Sequence, residues 1–265
     1  MKRTIIILSS LFAILSADAQ IRIGGRKIDT KKAVKAAGDM ATAVTLSDAD
    51  IARLSRKSVE WMDAHNPVDT GAYDRRLRRL TEGITEADGI PLNFKVYNVV
   101  DINAFACPDG SVRVFAALMD LMNDDELMGV IDHEIGHVLK HHSKNAFRTQ
   151  LLSDALKDGI ASTGSKAAAL TESQFSALTQ GLINAKYSQK QENEADNCGY
   201  DFLVSKGRNP WGMVMAFEKL QSLESGQAKS SYIQKMFSSH PETQARIKKM
   251  TERCEKDNYT RPAAE

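Results

Sequence analysis

The sequence lacks the marks of several protein classes. Its 265 residues include only three cysteines, Cys107, Cys198 and Cys254. None are paired as C-x-x-C, so a cysteine-ligated structural metal site is excluded. None lies near the N-terminus, so a lipoprotein anchor is not expected. The formal net charge is only +1, which gives no electrostatic footprint for nucleic acid. Beyond residue 15 no apolar run reads as membrane-spanning, and there is no internal repeat. Hydrophobic residues at 42% and charged residues at 26% are ordinary for a soluble globular protein. The length suits one compact catalytic domain plus a targeting segment.

The N-terminus has its own grammar. Lys2 and Arg3 precede an apolar run from Ile5 to Leu15, interrupted by Ser9 and Ser10, and then Ala17-Asp18-Ala19. This is the layout of a secretory signal peptide cleaved before Gln20. The expected organisation is a signal peptide over 1–19, an N-terminal extension over 20–45, a catalytic domain over 46–256 and a tail over 257–265. Cleavage removes two basic residues and one acidic one, which brings the formal charge from +1 to zero. The expected location is the periplasm of a Gram-negative bacterium, with no transmembrane helix in the mature chain. An oxidising compartment permits a disulfide. A Cys198–Cys254 bridge would tie the last helix to the one carrying Cys198, although the sequence does not choose the pair.

Helix signals dominate. Ser47 caps a helix to about His65, ended by Asn66-Pro67. A second covers Tyr73 to about Glu86. Alternation from Leu92 to Val100 predicts a strand. Asn103–Ala106 and Val112–Phe115 flank Pro108-Asp109-Gly110 and predict a hairpin. Further helices are expected over 124–142, 145–160, 172–185, 188–206, 210–225 and 241–256. The fold class is α+β, mostly helical, with a small antiparallel sheet beside a helix that carries the chemistry.

That chemistry centres on His133-Glu134-Ile135-Gly136-His137. On a helix, residues i and i+4 share a face, so both imidazoles reach one metal. Glu134 lies about 100° around the axis, within reach of a water on that metal. The Asp124-Asp125 pair offers an N-cap and an acidic first turn. Zinc needs a third ligand. A metzincin would carry Gly at 140 and His at 143; Lys140 and Ser143 exclude that class. His141 continues the i+4 series, but three ligands in a row on one helix cannot surround a tetrahedral ion. Glu192 and Asp196 are again i and i+4: a carboxylate ligand, with a second carboxylate able to fix the tautomer of a ligand histidine. In isolation the same segment reads equally as a solvated acidic face. Glu194 lies about 200° from Glu192, on the other side of the helix.

Asn103-Ala104-Phe105-Ala106, the H-E-x-x-H with His141 and His142, the E-x-E-A-D segment, and Ser239-His240-Pro241 through Arg246-Ile247 together resemble the peptidase family of HtpX, BepA, LoiP and the mitochondrial Oma-type proteases. The likeness spans roughly residues 45 to 250 and is greatest to LoiP-like periplasmic members. It implies a zincin-like gluzincin domain with one Zn²⁺ per chain. His133, His137 and Glu192 would be ligands, Glu134 the base, and Asp196 the support behind a ligand. It further implies that Asn103, Ala104 and Phe105 form an edge strand that binds substrate. The loop bearing His240 would lie over the metal, where the imidazole would either fill the fourth position or donate to the oxyanion. Lys190 stands where many members of that family have arginine, and an ammonium cannot form a bidentate fork there.

The expected function is a zinc-dependent endopeptidase acting on extended or unfolded polypeptides, including misassembled envelope proteins, alongside envelope quality-control partners. The rival expectation is a zinc-stabilised, chaperone-like binding module with latent activity.

Overall fold

The computed structural model describes residues 22–23, 26–27, 47–158, 171–225, 239–240 and 243–263. The expected signal peptide, most of the extension, the connection around 160–170 and Pro241 fall outside the described residues. The chain divides into two units, Met1–Thr45 with Leu152–Ala168, and Leu46–Leu151 with Ala169–Glu265. In the first, β1 (Arg22–Ile23) pairs antiparallel with β2 (Arg26–Lys27). The second carries the expected chemistry.

Helix α1 (Asp48–His65) opens with a reciprocal capping box between Ser47 and Asp50 and buries Ile51, Leu54, Val59 and Met62. Helix α2 spans Ala72–Leu80. It stops earlier than expected because the chain turns through Gly83 at φ 75°, with Ile84 still packed in the core. A short hairpin follows, β3 (Glu86–Ala87) with β4 (Ile90–Pro91). Its two-residue loop, Asp88-Gly89, has positive φ at both positions, as a type I′ turn requires.

The main sheet has three strands, β5 (Asn93–Tyr97), β6 (Ala104–Ala106) and β7 (Ser111–Phe115), in the order β5-β7-β6. The β6–β7 hairpin is antiparallel, closed by Gly110 N–H to Cys107 C=O and Cys107 N–H to Ser111 C=O. Strand β5 joins β7 in parallel, so the sheet is mixed rather than antiparallel throughout. Both faces are buried, and side chains alternate between them. Val96, Ala104, Ala106, Val112 and Val114 face one core cluster, and Tyr97, Phe105 and Phe115 face the other. Arg113, 1% exposed, is held on both Asp63 oxygens at 2.9 and 3.0 Å.

Helix α3 (Ala116–Leu121) runs directly out of β7. Helix α4 (Asp124–Leu139) is capped by Asn123 with Glu126 in a capping box, so Asp124 and Asp125 supply the acidic first turn and not the cap. Every residue from Glu126 to Val138 is buried. Fully buried aliphatic side chains such as Leu127, Ile131 and Ile135, each 0% exposed, contribute about 1.5–3 kcal/mol apiece. The remaining helices are α5 (His142–Asp158), α6 (Glu172–Ile183), α7 (Gln189–Ser205), α8 (Trp211–Ser225) and α9 (Thr243–Lys256).

Helices α4 and α7 meet backbone to backbone. A Cβ at Gly136 would sit 2.4 Å from the Ala195 carbonyl oxygen, and one at Gly199 would sit 2.6 Å from that of Asp132. Only glycine permits this approach. Cys107, Cys198 and Cys254 are all free thiols, so the Cys198–Cys254 bridge is not formed. Cys254 is buried in the main core and Cys198 lies half-exposed on α7.

Candidate metal centre

The buried stripe of α7 is Glu192, Ala195, Asp196, Gly199, Tyr200 and Leu203. That is the i, i+3, i+4 spacing of a core-facing helix, yet it carries two carboxylates one turn apart. Both are 0% exposed. They meet the polar turn of α4, where His133 and His137 are 3% and 0% exposed.

The distances define one cluster. His133 Nε2 and His137 Nε2 are 3.1 Å apart. Glu192 lies 3.6 Å from the first and 3.4 Å from the second. His240 Nδ1 is 3.3 Å from His133 Nε2 and 3.1 Å from Glu192 Oε1. One ligand atom from each of these four residues falls within 4.8 Å of all the others. His240 Nε2 is 3.6 Å from Glu134 Oε1, so the imidazole lies between the two glutamates.

Outer contacts assign the protons. His133 Nδ1 donates to Asp196 Oδ1 at 2.9 Å, which leaves Nε2 as a lone pair. Arg246 on α9 donates through Nε and Nη2 to the two Asp196 oxygens, and Nη1 lies 2.7 Å from Glu192 Oε2. The guanidinium sits 4.3 Å above the Phe217 ring. His137 Nδ1 faces His142 Nδ1 at 3.1 Å, and Tyr187 stacks on the His137 ring at 3.9 Å. The Tyr187 N–H donates to the carbonyl of Ser239, the neighbour of His240.

Burial pushes Glu134 up and His137 and His142 down. For Glu192, burial is outweighed by His240, His137 and Arg246, which hold it far below the usual carboxylate range. Asp196 is likewise held down to about 2, with Arg246 and His133 overcoming desolvation. Burial alone would lower His240, but the charge and hydrogen bond of Glu192 raise it.

This arrangement fits a divalent cation. With both rings protonated on Nδ1, their Nε2 lone pairs would meet across 3.1 Å. Three buried carboxylates, Glu134, Glu192 and Asp196, face one buried guanidinium, Arg246. A doubly charged ion resolves both conflicts, and imidazole nitrogen with carboxylate oxygen suits a borderline metal.

The structure therefore brings together His133, Glu134, His137, Glu192, Asp196 and His240. His141 is exposed, at φ 60°, beyond the end of α4. Lys190 is 85% exposed and 3.8 Å from Glu194; the bidentate arginine arrives instead as Arg246. Asn103–Ala106 lies at the sheet edge as expected, but none of the four residues is more than 5% exposed. Phe105 packs edge-on against Phe115, and both alanines pack into the core cluster that includes α4. Sequence reasoning missed Tyr187, His142, Phe217 and the fork of Arg246. Among the described residues no helix is long and apolar enough to cross a membrane.

Residues 72–254 match the model of peptidase family M48. The metalloprotease YcaL of Escherichia coli K12 is 38% identical over 229 residues, covering 85% of this chain and 88% of its own. The metalloprotease LoiP of the same strain is 34% identical over 242 residues, covering 90% and 94%. The beta-barrel assembly-enhancing protease of that strain is 34% identical over 140 residues, covering 49% of this chain and 28% of its own. With a buried two-histidine, one-glutamate cluster inside the matched region, the chain belongs to peptidase family M48 and is a metalloendopeptidase.

Proposed function

We propose that this protein is a zinc-dependent endopeptidase that takes one Zn²⁺ on His133, His137 and Glu192. The observation that carries the reading is the 3.1 Å approach of two imidazole Nε2 atoms whose Nδ1 atoms already have partners. Zinc held there would lower the pKa of a bound water and polarise the scissile carbonyl. Glu134, buried and raised by that burial, takes the proton of the attacking water and returns it to the leaving amine. Asp196 keeps His133 in the ligating tautomer, and Arg246 holds Asp196 and Glu192 ionised.

The substrate in this reading is extended polypeptide, bound along β6. The hydrogen-bonded pairs of the hairpin include Asn103 with Phe115 and Cys107 with Ser111. The backbone groups of Ala104 and Ala106 therefore turn away from β7, toward the edge where an added strand would pair. The Ala104 N–H is taken by Asn103 Oδ1 at 2.9 Å, so that side chain must swing aside for the peptide. The Lys2–Ala19 layout supports export to the periplasm and a mature start at Gln20. Unfolded or misassembled envelope proteins are then the substrates at hand.

The test is hydrolysis of unfolded casein with metal analysis. Wild type should carry one zinc and cleave; Glu134→Gln should keep the zinc and lose about 10²–10⁴-fold in rate. Equal rates in the two proteins overturn the assignment of the base.

A second reading is favoured by His240. Its Nδ1 stands among the ligand atoms, where a fourth protein ligand would keep the enzyme latent and leave a zinc-stabilised binding module.

A further inference from the structure

We propose that His142 and Glu194 form a positioning relay that holds His137 in the tautomer and orientation a metal requires, a second support independent of Asp196 and Arg246. The inference rests on the reading of His137 as a metal ligand.

The geometry is a single line of hydrogen bonds. His137 Nδ1 lies 3.1 Å from His142 Nδ1, and His142 Nε2 lies 3.0 Å from Glu194 Oε2. With both imidazoles neutral, only one set of protons satisfies it. Glu194 accepts, so His142 carries its proton on Nε2. Its Nδ1 is then a lone pair that can only accept, so His137 carries its proton on Nδ1. That leaves His137 Nε2 bare, pointing at His133 and Glu192. A partner on the distal nitrogen of a ligand histidine fixes the ring and raises its basicity.

The backbone explains why His142 is there. Helix α4 ends at Leu139, and His141 adopts φ 60° before α5 begins. Without that left-handed residue the helix would carry position 141, not 142, to the face of His137. Residue His142 is 4% exposed although it opens a helix. Glu194 is 41% exposed and comes from α7 on the opposite side of its helix from Glu192. The relay thus joins α4, α5 and α7 around one ring. Tyr187 stacks on the other side of that ring, so His137 is fixed in rotation by stacking and in tautomer by His142.

Amide side chains separate this role from mere packing. The Oδ1 of asparagine superimposes on histidine Nδ1, and the carboxamide of glutamine on Nε2. His142→Asn keeps the acceptor for His137; His142→Gln fills the volume but removes it. Zinc affinity of the full chain would be measured by competition with a chromophoric chelator, with the melting temperature of each metal-free variant. His142→Gln and His142→Ala should bind zinc about 10–100-fold more weakly, and His142→Asn within about threefold of wild type. Glu194→Ala should give a smaller loss, because water replaces an exposed acceptor. The Asn and Gln variants should melt together when metal-free. Glutamine binding zinc as tightly as wild type, or asparagine as weakly as glutamine, overturns the relay. His133→Ala is the control for the underlying reading: if it binds zinc like wild type, the ligand assignment itself fails, whatever the His142 variants do.

Discussion

Arg246 grips Asp196 with two parallel hydrogen bonds, Nε to Oδ2 at 2.8 Å and Nη2 to Oδ1 at 2.7 Å. The two residues are fifty positions apart in the chain. The pair is buried, and its third nitrogen, Nη1, extends the grip to Glu192 at 2.7 Å. One guanidinium therefore sets the charge state of both Glu192, a proposed metal ligand, and Asp196, the carboxylate behind His133.

Arg246→Lys should be far from conservative. An ammonium cannot form the fork, so one carboxylate is left buried and poorly paired. Zinc affinity should fall on the order of tenfold or more. Arg246→Ala should cost about 3–5 kcal/mol in unfolding free energy, the scale for breaking a buried pair. Chelator competition and urea unfolding measure the two effects. A lysine variant indistinguishable from wild type in both would show that the fork does not matter.

Glu192→Ala should lose zinc, while Glu194→Ala should retain most of it, although they stand two residues apart. Glu192 is 0% exposed beside His137, whereas Glu194 reaches the cluster only through His142. Metal content after gel filtration decides, and equal content in both variants contradicts the ligand set.

His240→Ala distinguishes two roles. If the imidazole occupies a metal position, its removal raises peptidase activity and admits small chelating inhibitors. If it serves the oxyanion, the variant keeps zinc and loses about 10²–10³ in kcat. Unchanged kcat and unchanged inhibitor access would leave His240 as a helix-entry residue only.

Asp132 should oppose stability. It is 0% exposed, neither carboxylate oxygen has a hydrogen-bond partner, and burial lifts it to about 8. A carboxyl raised in the folded state keeps its proton there longer than in the unfolded chain. Its contribution is therefore fully present below about pH 4 and is lost as pH rises through about 8. Asp132→Ala should gain about 1–3 kcal/mol at alkaline pH, and the gap over wild type should widen from pH 5 to 9. Thermal melts of the metal-free proteins across that range check it. A gap that narrows with rising pH would be wrong in sign.

Much of the site was legible because helical spacing is local. His133 with His137, and Glu192 with Asp196, share faces by period alone, and the Pro108-Asp109-Gly110 turn set the β6–β7 register. The remainder depended on where the chain breaks and returns. Extending α4 to residue 142 put His141 in the i+4 series, whereas a single left-handed residue hands that place to His142. Arg246 sits in a basic, amphipathic helix, where one buried arginine among exposed lysines has no local signature. Tyr187 lies in a loop and is positioned only by what packs around it. The parallel β5–β7 pairing skips a strand, and strand propensity does not encode which neighbour a strand chooses.

The contact of α4 with α7 at Gly136 and Gly199 has a consequence in time. The residues proposed as ligands are spaced by two closely approaching backbones rather than by an ion, so the proposed zinc would meet a geometry already set by helix packing.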